Sequence, residues 1–180
     1  MMKTSTILRF IPMRTYIAAV ALAMTLPAPV MATQSGTAAP VGFQIMCLRT
    51  PTECQGGGAD RIHLDTATLT HLDRVNRAVN KAIKPRTDGQ LDRWTVGKTV
   101  GDCEDYVLAK RARLISDGFP PSAMRIAYVK TSEGEGHAIL IVRTDQGDYV
   151  LDNLARSLLS LRKSGYRVLS MSGADPLAWN

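Results

Sequence analysis

Among the side chains that could do nucleophilic or metal chemistry, this 180-residue chain has three cysteines and three histidines. One stretch sets a cysteine among acids, Gly101-Asp102-Cys103-Glu104-Asp105-Tyr106, at the head of the helix-like run Val107 to Ile115. A helix N-terminus carries partial positive charge, which favours a thiolate over a thiol. Cys103 is therefore a candidate nucleophile, the alternative being a small buried residue of a core helix. Cys47 and Cys54 lie in a turn-rich segment, Cys47-Leu-Arg-Thr-Pro-Thr-Glu-Cys54, and an oxidising compartment would let them pair. Metal binding is the rival, but no second Cys/His pair at a suitable spacing completes a zinc site, and His63 and His71 show no evident ligand geometry. Pairing would leave Cys103 as the odd thiol, which in an exported protein points to reactivity.

A nucleophilic thiol needs a base and a group to orient it. His137 opens an apolar run to Arg143, and Asp152 closes the next extended segment, with the turn Thr144-Asp-Gln-Gly-Asp148 between them. In an antiparallel hairpin the start of one strand lies beside the end of its neighbour, so both side chains belong to one end of a sheet. A helix packed with its N-terminus at that end would bring Cys103 to His137, with Asp152 holding the imidazole. The Cys103 backbone N–H would bind the oxyanion, together with a second donor. Asp102, Glu104 and Asp105 oppose a thiolate. They also suit a helix first turn, and a hard cation on oxygen ligands would offset their charge. Calcium fits such a carboxylate-rich exported site, so the three are candidate ligands.

The elements that must position these groups are visible as periodicity. Leu69, Leu72, Val75, Val79, Ala82 and Ile83 make one apolar helical face, with Asp65 as N-cap and Pro85 beyond its end. A second helix over 102–117 buries Tyr106, Leu108, Ala109, Ala112, Leu114 and Ile115, with Lys110, Arg111 and Arg113 as cations toward its C-terminal end and Gly118 as the stop. Between the helices, Leu91-Asp92-Arg93-Trp94 puts a tryptophan just before the nucleophile, either as a cleft wall or as a core anchor. Strands follow over 124–130, 137–143 and 149–152, with another over 166–171. Residues 154–163 carry no decisive pattern. The fold class is α+β.

The first 32 residues read as a leader. Lys3, Arg9 and Arg14 precede an apolar run from Tyr16 to Leu26, then prolines and Val30-Met31-Ala32. The apolar run is short for a membrane span, an uncleaved anchor being the alternative. Cleavage after Ala32 would leave a periplasmic or secreted chain of net charge +3, down from +6. Residues 33–58 are expected to be a flexible segment carrying the short Cys47–Cys54 loop, and 59–180 the domain. There is no basic stripe interleaved with aromatics, so nucleic-acid binding has little support.

Taken together, Cys47…Pro51…Cys54, Val75-Asn76…Val79-Asn80, Asp92-Arg-Trp94, Gly101-Asp-Cys-Glu-Asp-Tyr106, Gly136-His-Ala-Ile-Leu140 and Asp148-Tyr-Val-Leu-Asp-Asn153 resemble the bacterial transglutaminase-like cysteine peptidases. These include the LapG-type periplasmic proteases. The resemblance implies a papain/transglutaminase-like fold, with the nucleophile at a helix N-terminus packed on an antiparallel sheet, and a Cys103–His137–Asp152 triad. For LapG-type members it implies calcium dependence through carboxylates matching Asp102 and Glu104. It further implies cleavage of a large surface adhesin between small residues, releasing it and dispersing biofilm, and control by an inner-membrane receptor for cyclic di-GMP. The Cys47/Cys54 pair looks like a branch whose substrates are less clear. The same thioester chemistry would serve a transglutaminase or amidase. A non-catalytic exported binding module, with Cys103 buried, is the reading of another class.

Overall fold

The computed structural model describes residues 36–87, 89 and 93–180. The expected leader over 1–32, its cleavage after Ala32, and Asp92 lie outside the described residues. In chain order, β1 (Thr37–Ala38) and α1 (Val41–Arg49) lead into a 3-10 turn at Pro51–Cys54. Next come α2 (Thr66–Ala82), β2 (Lys84–Pro85), β3 (Val100–Gly101) and α3 (Cys103–Ser116). A 3-10 turn at Pro121–Ala123 precedes β4 (Met124–Lys130), β5 (Gly136–Thr144) and β6 (Gly147–Leu151). The chain finishes with β7 (Leu159–Ser160), a 3-10 turn at Leu161–Lys163, β8 (Arg167–Met171) and β9 (Ala178–Trp179).

α2 begins where Asp65 Oδ1 accepts the Thr68 N–H at 2.6 Å and ends where Ile83 turns extended before Pro85. α3 stops at Gly118, whose φ of +92° is open to glycine and strained for other residues. The two helices pack antiparallel: the Tyr106 hydroxyl donates to the Ile83 carbonyl at 2.6 Å, and His71 meets Asp117 at 2.8 Å. The sheet has the order β7-β6-β5-β4-β8, every neighbouring pair antiparallel. In the β5–β6 hairpin, Leu140 stands opposite Leu151 and Thr144 opposite Gly147.

Alternation along β5 divides the core into two. Ala138, Leu140 and Val142 join Leu72, Val75, Val107, Leu108 and Leu114 of the helices in one cluster. Ile139 and Ile141 join Ala127, Val129 and Val150 in a second, covered by Leu161, Tyr166 and Met171. Leu72 and Leu114 are wholly buried, each contributing about 1.5–3 kcal/mol by leaving water. This covering of both sheet faces is why β5 is apolar at nearly every position.

Three expectations change. The segment 33–58, expected to be flexible, holds α1, whose Phe43, Met46 and Cys47 are buried, and Cys47 is bonded to Cys54. Phe43 packs edge-on to Trp94 at 5.1 Å between ring centres, so aromatic burial orders a stretch rich in turn residues. Lys110 and Arg111, expected only as cations toward the C-terminal end of the helix, are buried. Arg111 donates to the carbonyls of Glu53 and Gln55, at 2.9 Å for Gln55, fastening the disulfide turn to α3. Residues 159–163, which lacked a decisive pattern, form β7 and its 3-10 turn. Among the described residues no helix is long and apolar enough to cross a membrane.

Candidate active site

Cys103 is the first residue of α3, following Asp102 as N-cap. Parallel pairing of β3 with β2 delivers the chain to that point, with Pro85 opposite Gly101. Gly101 has a specific role, because a Cβ there would collide with the folded-back Asp105 carboxylate. α3 lies across β5, and the Ala138 backbone N–H acts on the Cys103 sulfur. The thiol therefore sits beside the start of β5, one residue from His137.

His137 is 6% exposed, and its Nε2 lies 2.7 Å from Asp152 Oδ1. Nε2 is committed to Asp152, leaving Nδ1 as the other ring nitrogen of His137. Asp152 is itself held from several sides. Oδ1 also accepts the Leu154 N–H at 3.0 Å, and Oδ2 accepts the Tyr166 hydroxyl. The Asn80 side-chain amide donates to the Asp152 carbonyl at 2.8 Å. Burial pushes the Asp152 carboxyl up, but the hydrogen bonds from His137, Tyr166 and Leu154 outweigh it and hold the group below its ordinary range. Tyr166 carries no sequence signal for this role, and Asn80 only its place in the Val79-Asn80 motif. The Tyr166 ring centre stands 5.9 Å from that of His137, so one residue bounds the imidazole and donates to its partner.

The thiol proton goes to Glu104: Cys103 Sγ donates to Oε2 at 3.0 Å. Burial pushes the Cys103 thiol far up, Glu104's charge and hydrogen bond add to this, and the Ala138 N–H opposes it. The helix N-terminus is thus overruled by burial, with the neighbouring Glu104 adding to it. Burial also raises the Glu104 carboxyl, and Asp102 beside it raises it further. The Tyr128 hydroxyl donates to Glu104 Oε1 at 3.3 Å.

The expected three-carboxylate group is not assembled. Asp105 is buried, paired with Lys98 at 3.2 Å and accepting the Thr95 N–H at 3.0 Å, so its carboxylate is spent on the loop before β3. Among the described residues no cluster of three His, Cys, Asp or Glu side chains could hold a metal ion. Asp102 and Glu104 remain as adjacent hard-oxygen donors with unfavourable mutual charge, a partial fit to calcium that backbone oxygens and water would complete. Trp94 is the core anchor rather than a cleft wall. It is 4% exposed and packs between Phe43 and Tyr128, with 6.1 Å separating its ring centre from that of Tyr128.

Similarity to known proteins agrees with this architecture. Calcium-bound LapG of Legionella pneumophila superimposes with a TM-score of 0.54 at 22% identity, over 62% of this chain and 68% of that one. The EGTA-treated form of the same protein gives 0.52 at 22% identity, over 61% and 64%. No curated protein sequence matches. The family model for bacterial transglutaminase-like cysteine proteinases matches residues 33–180, so the chain belongs to that family and is a cysteine peptidase with its α+β, transglutaminase-like fold.

Proposed function

We propose that the protein is an exported, periplasmic cysteine endopeptidase with Cys103 as nucleophile, His137 as proton carrier and Asp152 as the group that fixes the imidazole. The observation that carries this reading is the buried 2.7 Å contact between His137 Nε2 and a clamped Asp152, beside the strand on which the Cys103 sulfur rests. In the reaction the thiol proton passes to His137 Nδ1 and the sulfur bonds to the peptide carbonyl carbon. The carbonyl electron pair moves to oxygen, where the Cys103 N–H at the helix start supports it. Collapse breaks the C–N bond as His137 protonates the leaving amine, giving a thioester. Water, deprotonated by His137, then releases the acid and returns the thiol. The basic, apolar leader and the Cys47–Cys54 disulfide support export.

Asp102 and Glu104 would hold calcium, which would neutralise the carboxylate that now accepts the thiol proton. That LapG of Legionella pneumophila is calcium-bound supports calcium as the ion. The substrate would be a large surface adhesin cut between small residues, with a cyclic di-GMP receptor of the inner membrane as the controlling partner. Replacing Cys103 with Ala should abolish cleavage while leaving the circular dichroism spectrum and melting temperature near those of the parent. Retained cleavage would reject the nucleophile assignment. Offering a primary amine and looking for its mass on acceptor proteins separates transfer from hydrolysis.

A further inference from the structure

The loop that follows Asp152 is fastened to α2 at both ends. The Asn80 side-chain amide donates to the carbonyls of Asp152 and Ala155, at 2.8 and 3.4 Å. Farther along, the Leu158 N–H donates to Asp73 Oδ1 at 3.1 Å. Between loop and helix lies an open groove of about 510 Å³, lined by Arg77, Lys81 and Arg156 together with Asn80, Asn153 and Leu154. Among the described residues no carboxylate lines it. Asp73, one turn before Arg77, is spent on Arg77 and on the Leu158 N–H, so Lys81 and Arg156 are the charges left for a ligand. Lys81 has a local reason to be where it is, since a cation in the last turn of α2 complements the helix dipole. Arg156 has none, yet the loop's fastenings hold it against a helix that already carries two cations. A cleft lined by one sign of charge focuses a potential that draws in the opposite sign.

The groove lies at the active-site end of the molecule. Tyr106 on Ile83 sets the last turn of α2 level with the first turn of α3, where Cys103 stands. Asp152, whose carbonyl Asn80 holds, contacts His137 on the neighbouring strand. We propose that this groove is a substrate subsite, taking an acidic stretch of the polypeptide a few residues from the bond that is cut. Carboxylates of the substrate pair with Lys81 and Arg156, and an aliphatic side chain rests on Leu154, which is 63% exposed. Asp102 and Glu104 beside the thiol repel the same acids, which confines them to the groove and away from the reacting carbonyl. The proposal adds a substrate preference to the endopeptidase reading and rests on it.

Binding is read without turnover. In the full chain carrying Cys103→Ala, fluorescence anisotropy at low salt follows a labelled peptide of alternating alanine and glutamate. Control peptides carry glutamine or lysine in place of glutamate. The glutamate peptide should bind at least about tenfold more tightly than either control and weaken as salt rises. It should also move the amide resonances of Lys81 and of Asn153 to Arg156. Lys81→Glu with Arg156→Glu should lower its affinity by about tenfold or more. Arg162→Glu with Lys163→Glu, the same charge change on the exposed turn after β7, should leave it within about twofold. A glutamate peptide that binds no better than the glutamine one overturns the proposal, as do resonance shifts confined to residues outside the groove. Both results stand even if the double charge reversal does not fold. An affinity unmoved in a folded Lys81→Glu, Arg156→Glu chain overturns it equally. With the active chain, sites cut in a proteome-derived peptide library should carry Asp or Glu a few residues from the bond. The double reversal should exchange these for Lys or Arg, and cut sites without the acidic excess overturn the proposal. Failure of the endopeptidase reading shows separately, as a library left uncut or as cleavage that survives Cys103→Ala.

Discussion

Burial and a carboxylate adjacent in sequence together set the state of the proposed nucleophile. Glu104 takes the thiol proton and, with burial, disfavours the thiolate that α3's N-terminus would otherwise support. Glu104→Gln removes the charge and weakens the acceptor, so carbamidomethylation of Cys103 by iodoacetamide at neutral pH should speed up by about tenfold for each pH unit of thiol shift. An unchanged rate would show that burial alone holds the proton. On the other side of the site, Tyr166→Phe should destabilise the fold by about 1.5–3 kcal/mol at neutral pH, the usual range for a hydrogen bond to a charged group. Asp152's folded value is depressed, so its contribution is present above the ordinary carboxyl value of 3.8 and is lost as pH falls through the folded value. The Tyr166→Phe deficit in urea titrations should therefore shrink toward acid, and a deficit constant with pH would contradict this.

Helix α1 and its disulfide turn fasten to α3 through Arg111, so the covalent link and the hydrogen bonds act on the same element. Breaking the Cys47–Cys54 bond by Cys→Ser at both positions should cost about 2.5 kcal/mol on the chain-entropy estimate for so short a loop, read as a lowered melting temperature. The same melt for the parent chain under reductant should match. Helices α2 and α3 and strands β4 to β6 were legible in the sequence because each has a single apolar face or a bounded apolar run. α1 was not, because Val41, Ile45 and Leu48 are exposed and only Phe43, Met46 and Cys47 face inward, which blurs its period. The juxtaposition of His137 and Asp152 followed from hairpin logic, since both lie at one end of adjacent strands. Tyr166 and Asn80 were out of reach because their partners are set by tertiary approach: β8 docks on β4, and α2 leans on the turn after β6. The acidic run misled in part. Helical spacing cannot tell that Asp105 turns back toward Lys98 and Thr95 while Asp102 and Glu104 stay together.

For the molecule as a whole, a cation bound by the native site alone shifts the folding equilibrium by mass action. Calcium at about ten times its dissociation constant should add about 1.4 kcal/mol of stability, visible as a raised melting temperature that EGTA reverses. Asp102→Asn combined with Glu104→Gln should erase that increment, and an increment that persists would place the ion elsewhere. Pairing of β1 with β9 brings Thr37 opposite Trp179, and the Trp179 ring, 2% exposed, completes the aromatic cluster of Phe43, Trp94 and Tyr128. A polypeptide emerging from the ribosome offers Phe43 long before Trp179 exists to cover it. Vectorial synthesis thus leaves the cluster open until nearly the whole domain has been made, so its closure is a late step in folding.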